Sequence, residues 1–139
     1  MTYQHILANQ KEFFLSGQTK PLQFRIKQLK KFKKAIKDNE KYFYDAIRND
    51  FGKSEYETYG SELALIYSEL NLALKKLNRW MKTKKKPTNL LNFPGKSFII
   101  PEPYGTSLII GPWNLPFQFE LPPAGSAPAA GNKIILKPR

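Results

Sequence analysis

The chain has no cysteine and a single histidine, His5, near its amino terminus. Disulfides, cysteine nucleophiles and thiolate metal sites are excluded by composition, and histidine chemistry is reduced to one residue. Acidic residues are also scarce, with 11 Asp and Glu against 23 Lys and Arg and a formal net charge of +12. No run of about eighteen apolar residues exists, and Met1–Lys20 lacks the apolar centre of a signal peptide, so a cytoplasmic location is the default expectation. Gly-x-Gly-x-x-Gly is missing too, and with it the usual pyrophosphate-binding turn. The 139 residues suffice for about one domain with a modest core.

Most of the cations precede Pro87. They crowd two segments, Lys27–Lys37 and Lys75–Lys86. Patches of this kind can neutralise phosphates of nucleic acid or anionic lipid headgroups and bind them in a salt-sensitive way. A solvated lysine-rich helix face explains them equally simply, because apolar seams run through the same segments. Neither nucleic acid nor membrane is therefore expected as a partner.

Leu22, Ile26, Leu29, Phe32, Ile36, Phe43, Ala46 and Ile47 fall mostly on one helical stripe and predict a single long amphipathic helix from Leu22 to Phe51. Gly52 suits the left-handed position past its end, and Ser54 with Glu57 has the capping-box spacing that starts another helix. There, Tyr59, Leu63, Ile66, Leu70, Ala73, Leu77 and Trp80 alternate steps of four and three, the seam of two helices packed side by side. An antiparallel helical hairpin is expected over residues 1–86. Glu57, Glu62 and Glu69 lie on the second helix without a histidine or cysteine partner, and solvated surface carboxylates are the simplest reading. The aromatic pieces at Tyr42–Tyr44 and Tyr56–Tyr59 read as packing residues rather than base-stacking ones.

From Lys84 to Pro94 the composition changes to Lys, Pro, Thr and Asn, a connector. Ser97–Ile100 is a short β-like run, and Thr106–Ile110 and Lys133–Leu136 are strands. The crossover between the last two has the length of a parallel connection through one helix. The expected fold is α/β: a helical hairpin, a short β-hairpin-like segment, and the first βαβ unit of a Rossmann-like parallel sheet.

The turn after Ile110 carries the chemistry. Pro112 and Pro116 bracket Trp113-Asn114-Leu115 and restrict its backbone, so the Asn114 carboxamide is held at a sheet edge, where α/β proteins bind ligands. A fixed amide there can donate to an oxygen that gains negative charge during reaction. Local chemistry by itself favours a plainer role, with Asn114 capping the helix that begins near Leu115 and Trp113 in the core.

The run Ile110-Gly111-Pro112-Trp113-Asn114-Leu115-Pro116-Phe117, followed by Ala129-Ala130-Gly131-Asn132 and Leu136-Lys137-Pro138, resembles the start of the cofactor domain of aldehyde dehydrogenases. Upstream, Arg25-Ile26, Gln28-Leu29 and Asp50-Phe51-Gly52-Lys53-Ser54 are similar to the opening of the class 3-like branch. The likeness spans Phe13 to Pro138. It implies oxidation of an aldehyde to a carboxylic acid with NAD or NADP, in a homo-oligomer. It also implies Asn114 as oxyanion donor, Ile110, Pro112 and Trp113 along the nucleotide pocket, and Lys137 on the ribose hydroxyls. In the family a cysteine thiolate attacks the aldehyde and a glutamate assists hydrolysis. This chain contains no such cysteine, and that glutamate lies beyond the matching segment.

The resulting expectations are a helical segment over residues 1–86, a connector over 87–103 and a truncated cofactor-domain start over 104–139, inactive by itself. A non-catalytic piece that pairs with dehydrogenase chains, or a basic helical module for nucleic acid or anionic membrane, are the alternatives. Interior prolines each cost about 3 kcal/mol in a helix, so Pro122 and Pro128 predict a kinked or broken crossover helix and a poorly formed pocket. Strands meant for burial on both faces predict marginal solubility or a loose last third.

Overall fold

A computed structural model describes residues 3–138. The first helix, α1 (Tyr3–Leu15), arises where the sequence offers only a polar mixture, and none of its residues is buried. It is held at its carboxyl end, where Phe13 stacks at a tilt 6.1 Å from Phe24 and lies under the Lys133 ammonium at 4.3 Å.

The stripe from Leu22 to Phe51 is not one helix but two, α2 (Leu22–Asp38) and α3 (Glu40–Phe51). The break falls at Asn39, whose side chain donates to the Ala35 carbonyl at 2.7 Å. Asp and Asn compete with the helical backbone for hydrogen bonds, and an adjacent pair supplies that competition. Gly52 takes the expected left-handed conformation after α3, with φ of 70°. Ser54 caps α4 (Glu55–Thr58) by accepting the Glu57 amide at 3.2 Å.

A π-helical stretch, Tyr59–Leu63, joins α4 to α5 (Ala64–Trp80). A π turn inserts one residue into the helical register. Within this stretch Glu62 and Leu63, neighbours in sequence, are both completely buried. Glu62 is thus no surface carboxylate. The seam is otherwise as expected: Leu63, Ile66, Leu70, Ala73 and Leu77 are buried, joined in one core by Leu29 and Ile36 of α2. Each large apolar side chain so placed contributes about 1.5–3 kcal/mol. The Tyr67 hydroxyl donates to Glu40 at the start of α3, and burial together with that bond pushes the phenol above its ordinary range.

After α5, β1 (Lys84–Lys86) pairs antiparallel with β2 (Ser97–Ile99), so the connector is itself a small hairpin. The βαβ unit follows: β3 (Thr106–Ile110) and β4 (Lys133–Lys137) are parallel, with α6 (Pro116–Ala130) between them in sequence. Only Ile109 of these two strands is buried, and Leu108, Ile110 and Leu136 are exposed.

Helix α6 is continuous despite Pro122, Pro123 and Pro128, which corrects the expectation of a break. Packing and end contacts account for it. Gly125 lets α6 approach α5 so closely that a Cβ would come within 2.6 Å of Leu70. Ala124 and Ala129 are buried, and Phe117 and Leu121 pack on the core formed by α2 and α5. At its start, Glu62 Oε2 accepts the Phe117 and Gln118 amides at 3.0 and 3.3 Å. At its end, Gly131, with φ of 93°, forms a Schellman turn in which the Gly131 and Asn132 amides reach the Pro128 and Ala127 carbonyls at 3.0 and 2.9 Å. Arg25 closes that end from α2, donating to the Ala129 carbonyl at 3.2 Å and to Thr19 at 2.9 Å. Burial pulls its guanidinium down from the ordinary value, opposed by Glu102.

Glu120, on α6 itself, has no ion-pair partner among the described residues. Glu120 is buried against Gly111, where a Cβ would overlap its carboxyl, and desolvation raises its pKa.

Three outcomes test this packing. Amide exchange across α6 is expected to show continuous protection at the non-proline residues, with no fast segment around Pro122. Gly131→Ala places a Cβ at positive φ within 2.5 Å of the Arg25 guanidinium; the left-handed strain alone costs about 1–2 kcal/mol, so the urea midpoint falls by at least that equivalent. Glu120 binds its proton more tightly folded than unfolded, so its unfavourable contribution grows as pH rises above the ordinary carboxylate range. Glu120→Gln is therefore expected to stabilise the chain at pH 7, with the gain vanishing below the normal carboxylate pKa in parallel denaturant titrations.

Candidate functional site

The candidate site is built at the carboxyl edge of β3 and β4. Parallel register sets Ile110 directly across from Lys137, and the Gly111 amide extends the ladder by donating to the Lys137 carbonyl at 3.4 Å. The chain then leaves the sheet through Gly111–Leu115 and enters α6 at Pro116, a residue without an amide N–H, suited to the first helical turn. Gly111 cannot carry a side chain because the Glu120 carboxyl occupies that space. In this way five sequence-predicted residues, Ile110, Pro112, Trp113, Asn114 and Lys137, meet on one edge.

Pro112 is half-buried, whereas Ile110, Trp113, Asn114 and Lys137 are exposed. Trp113 retains 70% of its surface, so it is not a core residue. The helix-cap reading of Asn114 also fails: Leu115 stands at the N-cap position, and no side chain at that position makes a capping bond. Among the described residues the Asn114 carboxamide has no hydrogen-bond partner, and neither does the Lys137 ammonium.

What caps α6 instead is Glu62. Its second oxygen accepts from Lys53 Nζ at 3.2 Å, in an ion pair whose side chains are 0% and 16% exposed. Hydrogen bonds to a charged group contribute about 1.5–3 kcal/mol each, and the carboxylate also opposes the positive end of the helix dipole. The Phe119 amide bonds to Leu115 at 3.1 Å. With Phe117 and Gln118 held by Glu62 and Pro116 lacking a donor, the first turn has no amide left for a phosphate. The missing glycine-rich motif has this structural counterpart: the first-turn amides that would cradle a phosphate are already bonded within the chain.

Glu62 is the residue that sequence reasoning missed. It sits four residues before Ile66 and eight before Leu70, on the same stripe as the apolar seam, which is the signal that could have exposed it. Arg25, at the other end of α6, belonged to the recognised run but had no stated role.

On the α3 side of the turn, Trp113, Pro116, Phe117 and Glu120 line, together with Tyr42, Phe43, Ile47 and Pro138, a groove of about 560 Å³. Phe43 meets Phe117 edge-on, with ring centroids 4.7 Å apart. The groove wall is aromatic, and the adjoining sheet edge carries the amide and ammonium donors. Such an edge can bind a ligand with an apolar or aromatic portion and oxygen acceptors, and can direct an amide N–H at one of them. Among the described residues no group of three His, Asp or Glu side chains forms a metal site, and no helix is long and apolar enough to cross a membrane.

Comparison with known proteins identifies the family. The model of the aldehyde dehydrogenase family matches residues 2–139. A 4,4'-diaponeurosporen-aldehyde dehydrogenase of Staphylococcus aureus is 47% identical over 92% of this chain and 28% of its own length. Mouse aldehyde dehydrogenase family 3 member B3 is 43% identical over 98% of the chain and 28% of its own. A solved structure described as the substrate-bound state of Staphylococcus aureus AldH superposes with a TM-score of 0.96 at 43% identity, covering 100% of this chain and 30% of that one. The chain thus spans little more than a quarter of the length of these curated relatives. Aldehyde dehydrogenases are oxidoreductases that in general use NAD(P). With the Pro-Trp-Asn turn at the edge of a parallel strand pair and the family match over almost every residue, this chain belongs to the aldehyde dehydrogenase family and corresponds to its amino-terminal part.

Proposed function

We propose that this chain supplies the amino-terminal part of an NAD(P)-dependent aldehyde dehydrogenase, with Asn114 as its catalytic residue. The observation that carries the reading is the Asn114 carboxamide itself, exposed at the sheet edge and not used as a helix cap. Its N–H donates to the aldehyde oxygen as that oxygen gains charge, an interaction stronger in the transition state than in the ground state. Ile110, Pro112 and Trp113 form an apolar shoulder for the cofactor, and the exposed Lys137 ammonium at the end of β4 donates to ribose hydroxyls. The residues present fit such a group: donors and an aromatic surface converge on one edge, while the first turn of α6 has no free amide for the pyrophosphate. When bound, NAD(P) accepts the hydride that the aldehyde loses.

The chain holds no cysteine nucleophile, so the reaction requires the rest of the family's polypeptide, and the 139 residues by themselves are expected to be inactive. The exposed Leu90, Leu91 and Phe93 around the 3₁₀ turn between β1 and β2 support a surface that is covered in an assembled homo-oligomer. The cytoplasm is the compartment this reading implies.

The test mixes the chain with a separately expressed carboxyl-terminal portion of a family 3 dehydrogenase, beginning after the position equivalent to Arg139. Aldehyde-dependent reduction of NAD or NADP is expected from the mixture and from neither piece alone. Asn114→Ala is expected to lower kcat by about 10²–10³ with little change in KM. A mixture that assembles but reduces no cofactor would sink the reading.

A further inference from the structure

The chemistry assigned to Asn114 demands a fixed carboxamide, yet nothing in its own turn holds it: the side chain has no partner among the described residues and the N-cap position is uncapped. The nearest anchor lies one residue beyond Pro116. There the Phe117 and Gln118 amides end on Glu62 Oε2, contributed from 55 and 56 residues away by the π-helical stretch. Lys53 fixes the other carboxylate oxygen from the loop ahead of α4, so the carboxyl plane is defined at both ends. The Glu62 side chain is 0% exposed and that of Lys53 only 16%.

We infer that Glu62, held by Lys53, is a positioning residue for Asn114: it fixes where α6 starts, and thereby where the Pro112–Leu115 turn points its amide. This rests on the function proposed above, but the contact and its effect on the turn are testable without catalysis. Three features favour positioning over bulk stability. The bonds go to the first turn of the helix, where the chain entering from Asn114 still has freedom, and not to its packed middle. They come from an element distant in sequence, so they tie the turn to the helical core rather than to its own strand. And Glu62 occupies an apolar stripe on which a leucine would pack at less desolvation cost.

The amount of reach matters as much as the charge. Glu62→Asp keeps the anion but is one methylene too short to span Lys53 and the α6 amides together. Glu62→Gln keeps the length and an acceptor oxygen but loses the charge.

The experiment uses the isotope-labelled 139-residue chain and reads two things: backbone and side-chain ¹⁵N relaxation at Trp113–Leu115, and amide exchange at Phe117 and Gln118. In Glu62→Asp the turn is expected to loosen, with lowered heteronuclear NOE at Asn114, while β3, β4 and Leu70–Leu77 of α5 stay as they were. Glu62→Gln should loosen it less, yet raise exchange at the two amides by about tenfold, the difference between a charge-assisted and a neutral hydrogen bond. Should Glu62→Asp fail to fold, the Glu62→Gln exchange result decides alone. Unchanged relaxation at Asn114 in Glu62→Asp, or unchanged exchange in Glu62→Gln, overturns the inference.

A kinetic arm separates it from the reading on which it rests. In the reconstituted mixture, Glu62→Asp is expected to lower kcat with KM changed less than about twofold, and to add no further loss in the Asn114→Ala background, since both act through one amide. Losses that multiply in the double variant overturn positioning. If the wild-type mixture never turns over, the functional proposal fails, while the relaxation result still decides whether Glu62 orders the turn.

Discussion

Helix α6 enters beside the candidate site and leaves at the start of β4, and side chains of opposite charge meet its two ends. Glu62 takes the amides at the amino terminus and Arg25 takes a carbonyl at the carboxyl terminus. Each charge opposes the partial charge of the helix end it touches, and each satisfies backbone groups that a buried helix terminus would otherwise leave without partners. Both are nearly or wholly buried, so water screens neither contact. The consequence reaches beyond α6. Through Glu62 the crossover is tied to the π-helical stretch ahead of α5 and to Lys53, and through Arg25 to α2, so the βαβ unit and the helical core share one set of constraints.

The same arrangement explains how a helix with three interior prolines stays continuous. A proline removes one amide donor and crowds the preceding turn, at a cost that an isolated helix cannot absorb. Here the ends are fixed, Gly125 brings the axis close to Leu70, and Ala124 and Ala129 bury their faces. Tertiary contacts determine the helix, and its own propensity does not. The cap also has a chemical consequence. By occupying the first-turn amides it removes the anion site that a helix after a β-strand ordinarily offers, and leaves the sheet edge with the Asn114 and Lys137 donors in its place.

Much of the architecture was legible in the sequence because it rests on local pattern. The seam of Leu63, Ile66, Leu70, Ala73 and Leu77, the Ser54 cap, the left-handed Gly52 and the parallel pairing of two short aliphatic strands all follow from periodicity and turn chemistry. Three elements did not. Asn39 divides a stripe that looks continuous, because a side-chain bond to the Ala35 carbonyl competes with the helix without disturbing the apolar spacing. Helix α1 has no buried face to announce itself. Glu62 was read as solvated although it shares the apolar stripe, because the α6 amides it caps lie 55 and 56 residues away in sequence.

By itself the sequence determined which family the chain resembles, the absence of a cysteine nucleophile, and the identity of Asn114 and Lys137 as candidates, since motifs and composition are properties of residue order. It could not decide between Asn114 as helix cap and Asn114 as an available donor, because both readings use the same residue in the same turn. Tertiary structure excluded the cap by bringing Glu62 from more than fifty residues away to the α6 amides. A contact of that separation leaves no local periodicity, and only the packing of α5 against α6 brings the two partners together.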